Sequence, residues 1–137
     1  MKNTIIYGLF TIMIIGLMTG CLATSQISDA DVLVIEYERL AELLNNPKHG
    51  IVLVDVRSPA QYAKSHIPGA INIPINKLRP AHPRLVQAKS IVVYSQEITD
   101  MISRAASKTL LRSGYKSVHN FQGGLNMWKN LHPQQIQ

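Results

Sequence analysis

The chain has 137 residues, a formal charge of +6, five histidines and a single cysteine. One cysteine excludes a disulfide framework, so a folded domain here must hold through burial. The histidines lack metal-ligand spacing and the bases are not interleaved with aromatics, which argues against a metal site, a cofactor and nucleic acid. The layout of charge says more than its sum. Residues 24–56 carry Asp29, Asp31, Glu36, Glu38, Glu42 and Asp55 against Arg39 and Lys48. From Arg57 to Lys89 there are only bases, and after Asp100 only bases again. Such a basic face suits anionic headgroups, although bases this dispersed read first as a solvated surface.

The first element is an apolar segment. Lys2 supplies a positive charge, and residues 5–18 form an uncharged, mostly apolar run of about 14, the length of a signal-peptide core rather than a spanning helix. Thr19-Gly20-Cys21 follows and resembles a bacterial lipobox, with Met18 where that motif prefers Leu. The resemblance implies a signal peptide over residues 1–20 and lipid attachment at Cys21. Acyl chains such as palmitate anchor firmly when there are two or more, because each buried methylene contributes about 0.8 kcal/mol. Leu22 is not the Asp that resembles an inner-membrane retention signal, so an outer membrane facing the periplasm is the expected destination. An uncleaved anchor, or simple secretion after cleavage at Ala23, also fits the segment. Residues 21–31 then read as a tether.

Residues 32–131 are enough for one domain, with 132–137 as a tail. Val32–Ile35 is a β-branched run, and Leu40, Leu43 and Leu44 recur at helical spacing within 36–45. Ile51–Val54 is a continuous apolar strand of the kind buried on both faces of a parallel sheet. Ser58 caps a helix that has Pro59 at its first position. Ala70–Ile73 is a third strand, followed by a Pro-rich stretch, 74–83, with one helical turn near 75–78. Ile91–Tyr94 is the next buried strand. A helix is predicted from about Thr99 to Arg112, with Thr99 as cap, Asp100 in its first turn, and Met101, Ile102, Ala105, Ala106, Thr109 and Leu110 on one face. Gly114 ends it. Residues 117–121 form the last strand, and a closing helix over 125–131 buries Trp128. The alternation predicts an α/β domain with a mainly parallel five-stranded sheet and helices on both faces.

Three ordered signatures tighten that expectation. Val54-Asp55-Val56-Arg57-Ser58-Pro59-Ala60-Gln61-Tyr62 is similar to the DVR-xPxEY signature of the rhodanese-like (sulfurtransferase) family, with Gln61 in place of Glu. His66-Ile67-Pro68-Gly69-Ala70-Ile71-Asn72-Ile73-Pro74 resembles its HIPGAINIP signature without departure. Gly114-Tyr115 and Gly123-Gly124 with Trp128 resemble its GY and GG-xxxW pattern. The resemblance covers about Val32 to Asn130 and implies the rhodanese-like fold.

In catalytic members the resemblance implies a cysteine directly after the fourth strand, on a loop whose amides hold an anion. Its thiolate accepts sulfur and passes it on as a persulfide. Here that position is Ser95, followed by Gln96-Glu97-Ile98-Thr99-Asp100. A hydroxyl cannot form a persulfide, and Glu97 and Asp100 repel anionic substrates. The loop also lacks the glycine and arginine of active members. Counting back from Gly114 without a gap puts the cysteine's position at Glu97 instead, which supplies no sulfur either. Ser95 lacks the G-x-S-x-G surroundings of a nucleophile elbow.

The expectation is therefore a non-catalytic, lipid-anchored rhodanese-like module of the bacterial envelope that binds or scaffolds another envelope protein. Its candidate binding loop comprises Ser95, Gln96, Glu97, Ile98, Thr99 and Asp100, with Arg104 beyond it. Asp55, Arg57, His66 and Gly69 are expected to be structural, Asp55 and Arg57 by tying loops together. Two other readings stay open: an envelope sulfurtransferase that uses a partner's thiol, and a structural lipoprotein without a ligand.

Overall fold

In the computed structural model, residues 27–134 are described, so Met18, Cys21 and Leu22 lie outside the described residues. Five strands form one sheet: β1 (Leu33–Val34), β2 (Ile51–Asp55), β3 (Ile71–Asn72), β4 (Ser90–Tyr94) and β5 (Val118–Asn120). Their order is β1-β5-β4-β2-β3 and every pairing is parallel. Three helices lie in the connections, α1 (Tyr37–Leu44), α2 (Pro59–Lys64) and α3 (Ile102–Arg112), and α4 (Gly124–Leu131) follows β5. Among the described residues, no helix is long and apolar enough to cross a membrane.

Period-two alternation divides the sheet's side chains between two cores. Leu53, Val92 and Tyr94 pack on one face with Leu40 of α1, Tyr62 of α2 and Leu125 and Trp128 of α4. Val54, Ile91, Val93 and Val118 pack on the other with Ala106 and Leu110 of α3 and with Leu85 from the Pro-rich connection. This is the expected covering of a parallel sheet on both faces. Tyr94 is buried, and that burial, aided by the nearby Asp55 charge, pushes its phenol well above its usual pKa. Its hydroxyl accepts the Ile67 N–H at 3.1 Å, joining β4 to the turn before β3.

Local signals account for most boundaries. Ser58 and Gln61 form a reciprocal capping box: Gln61 N–H donates to Ser58 Oγ at 3.3 Å, and Ser58 N–H to Gln61 Oε1 at 3.1 Å. The Gln at this place therefore does the structural work available to a Glu. The helical turn in the Pro-rich stretch spans Ile75–Lys77.

One boundary differs. The helix predicted from Thr99 begins at Ile102, and Met101 and Ile102 are exposed at 62% and 45% rather than on the buried face. Thr99 is exposed and makes no cap. Helical periodicity cannot see this start, because the preceding residues are held by a turn, Asp100 N–H to Glu97 C=O at 3.1 Å.

Candidate functional site

Parallel strands deliver their following loops to a single edge of the sheet, where α/β proteins carry their sites. β4 ends at Tyr94, and Ser95 is the next residue. It is 1% exposed, and its hydroxyl has no hydrogen-bond partner among the described residues. Strand pairing through Tyr94 places Ser95, not Glu97, at the strand's exit. Glu97 is two residues further, at the start of the turn.

Two amides, one at each end of this segment, converge on a side chain of the segment itself. Asp100 Oδ2 accepts the Gln96 N–H at 3.1 Å and Asp100 Oδ1 accepts the Ile102 N–H at 2.7 Å. A backbone disposition suited to an anion is thus satisfied by an internal carboxylate. This arrangement differs from the expected first-turn role of Asp100: the residue precedes the helix and organises the loop as well as its start.

Gln96 ties the loop to both neighbours. Its Oε1 accepts from Arg57 Nη1 at 2.8 Å, and its Nε2 donates to Asn126 Oδ1 at 2.6 Å. Asn126 in turn donates to Glu97 Oε2 at 3.3 Å. The start of α4 completes the clamp: Leu125 N–H donates to Ser95 C=O at 3.0 Å and Asn126 N–H to Gln96 C=O at 2.9 Å. These amides belong to the orphan donors of a helix N-terminus, here satisfied by the loop. Gly124 makes the approach feasible. Its φ is +60°, and a Cβ there would lie 2.7 Å from the carbonyl carbon and oxygen of Gln96.

Asp55 and Arg57 form a buried fork, with Nε to Oδ1 at 3.0 Å and Nη2 to Oδ2 at 2.6 Å. Arg57 Nη2 also donates to Ser65 C=O at 2.7 Å. Its guanidinium thus joins the ends of β2, α2 and the Ser95 loop. His66 stacks on Tyr62, with ring centroids 3.8 Å apart, and its Nδ1 donates to the Tyr62 carbonyl at 3.0 Å. Gly69 turns the chain into β3 with φ +78°. Arg104 is not part of the loop's bonding among the described residues. Its charge instead reaches Asp29, whose carboxyl is held below its usual pKa by a hydrogen bond from Lys108, by that lysine's charge and, least, by Arg104.

The loop lends a wall to two depressions. One, of about 420 Å³, includes Arg57, Gln61, Lys77, Gln96 and Asp100. The other, of about 640 Å³, includes Glu97, Ile98, Asn126 and Met127 with residues from the start of α1. Sequence reasoning singled out Ile98, exposed at 63%. It did not find Asn126 or Met127 as site residues, since their only local signal is a place on a closing helix.

The model of the rhodanese-like domain matches residues 36–131. The chain belongs to the rhodanese-like domain family. Among curated relatives, a protein named thiosulfate sulfurtransferase GlpE from Coxiella burnetii is 30% identical over 86 residues, covering 63% of this chain and 78% of that protein. The uncharacterised protein YqhL of Bacillus subtilis is 33% identical over 76 residues, 56% of this chain and 59% of that one. Among solved structures, the BH2092 protein from Bacillus halodurans superposes with a TM-score of 0.69 at 26% identity, covering 77% of this chain and 76% of that chain. Reduced CoADR-RHD from Bacillus anthracis gives 0.67 at 29% identity, covering 79% of this chain and 18% of that one. The family resemblance read from the three signatures is thus established, as is the parallel five-stranded fold.

Proposed function

We propose that this chain is a non-catalytic rhodanese-like module, tethered through a lipid on Cys21 to a bacterial envelope membrane, that binds or scaffolds another envelope protein. The observation that carries the loss of catalysis is the state of the loop after β4. Ser95 offers a buried hydroxyl without a partner among the described residues, and the Gln96 and Ile102 amides are spent on Asp100. Sulfur relay needs an ionisable sulfur in surroundings that favour anions, and this loop supplies neither. Thiosulfate-to-cyanide sulfur transfer by the purified protein tests the reading. The expected rate equals that of buffer alone, and turnover above it overturns the proposal.

A second reading, an envelope sulfurtransferase that works with a partner's thiol, is favoured by the name carried by the Coxiella relative. Thiosulfate-dependent persulfide on the thiol of an added envelope protein, formed only when this chain is present, would support it. The membrane part has its own test. Metabolic labelling with an alkyne fatty acid should mark the protein, and Cys21→Ser should abolish the mark.

A further inference from the structure

The larger depression crosses the C-terminal edge of β1, β5 and β4, which are neighbours in the sheet. Glu36, Tyr37 and Glu38 follow β1, Glu97 and Ile98 follow β4, and Met127 and Leu131 belong to α4 after β5. Its ledge is apolar and open: Ile98, Met127 and Leu131 are 63%, 39% and 52% exposed. Among the described residues, no Lys, Arg or His lines it. The chain as a whole carries +6, yet three of its eight acids border this one groove. Asp29, Glu42 and Asp55 are in salt bridges, whereas Glu36, Glu38 and Glu97 have none among the described residues.

We propose that this groove docks a short segment of another protein in which lysine or arginine alternates with aliphatic side chains. The inference rests on the reading of the domain as a binding module and names the chemistry of its partner. Three carboxylates beside an apolar ledge complement such a segment in both charge and surface. Other occupants fit less well. The carboxylates repel anionic headgroups. Among the described residues no three His, Cys, Asp or Glu side chains are grouped to hold a metal ion. A volume of about 640 Å³ accommodates several side chains at once.

The test uses the full-length protein in a neutral detergent and a fluorescein-labelled peptide of alternating lysine and leucine, followed by anisotropy. Micelle binding is common to all samples, so the readout is the difference between protein variants. The expected result is saturable binding, weakened by salt. The triple variant Glu36→Gln, Glu38→Gln, Glu97→Gln should weaken it about tenfold or more, and Ile98→Ser should weaken it separately. All the altered side chains are solvent-exposed, and an unchanged circular dichroism spectrum confirms that the variants fold. Three outcomes overturn the proposal: equal affinity in the triple variant, equal affinity for a lysine–serine peptide, or a homodimer that the triple variant dissolves. Absence of peptide binding with sulfur transfer at the buffer rate sinks only this inference. Sulfur transfer above that rate sinks the non-catalytic reading itself.

Discussion

Asp100 Oδ2 lies 3.1 Å from the backbone nitrogen of Gln96, so the first amide after Ser95 is already committed to an acid of the same loop. The same carboxylate takes the Ile102 amide through its other oxygen. Two of the segment's amides are thus satisfied internally, which leaves them unavailable to an external anion while Asp100 keeps this position.

It follows that restoring sulfur alone is insufficient. Ser95→Cys should leave thiosulfate-to-cyanide transfer at the buffer rate, while Ser95→Cys with Asp100→Ala should raise it. The second change removes the internal acid at a stability cost of about 0.5–2 kcal/mol, the usual range for losing a capping side chain. Activity in the single variant would show that Asp100 does not block the amides.

Ser95→Ala should stabilise the domain. The hydroxyl is buried without a partner, and such an unsatisfied group costs about 1–3 kcal/mol. Alanine removes the oxygen and leaves a small apolar side chain. Chemical denaturation should show a gain of about 1 kcal/mol, with the midpoint moving to higher denaturant at unchanged slope. A loss of stability would mean that the hydroxyl has a partner in solution.

Arg57→Leu should be severely destabilising, by roughly 3–5 kcal/mol, because Asp55 would stay buried without its counter-charge. Arg57→Lys should recover little of this, since an ammonium lacks the fork that meets both Asp55 oxygens, Gln96 and Ser65. Thermal unfolding of the two variants decides the point, and a near-native lysine variant would contradict it.

Gly124→Ala should cost more than Gly114→Ala. Both have positive φ, but only at Gly124 does an added Cβ meet the Gln96 backbone, while nothing lies within 4 Å at Gly114. The Gly114 change should cost about 1 kcal/mol, the ordinary left-handed penalty. The Gly124 change adds a steric push on the loop. Equal effects on stability would show that the contact relaxes freely.

His119 on β5 sets an expected pH dependence. Burial lowers its pKa below 6.5, so the folded state binds the proton less readily than the unfolded state. Its contribution therefore favours folding equally at all pH values well above 6.5 and erodes as pH falls through that value. Urea titrations at pH 7.5 and 5.5 should show lower stability at the acidic end, and His119→Gln should reduce the difference. An unaltered difference would assign the effect to other groups.

What the sequence by itself determined was whatever local pattern and motif can carry. The apolar runs over 51–54 and 91–94, the Ser58-Pro59 start and the Gly114 stop each express a backbone preference within a few residues. The three signatures then named the family. Tertiary structure alone decided the form of the loop, since the start of α3 at Ile102 depends on where Asp100 points its carboxylate. It also decided the groove. Glu36, Glu97 and Met127 are far apart in the chain and meet only because β1, β5 and β4 lie side by side and run parallel. Periodicity reports which side of its own element a residue occupies, whereas neighbours across elements follow from strand order, which is a global property of packing.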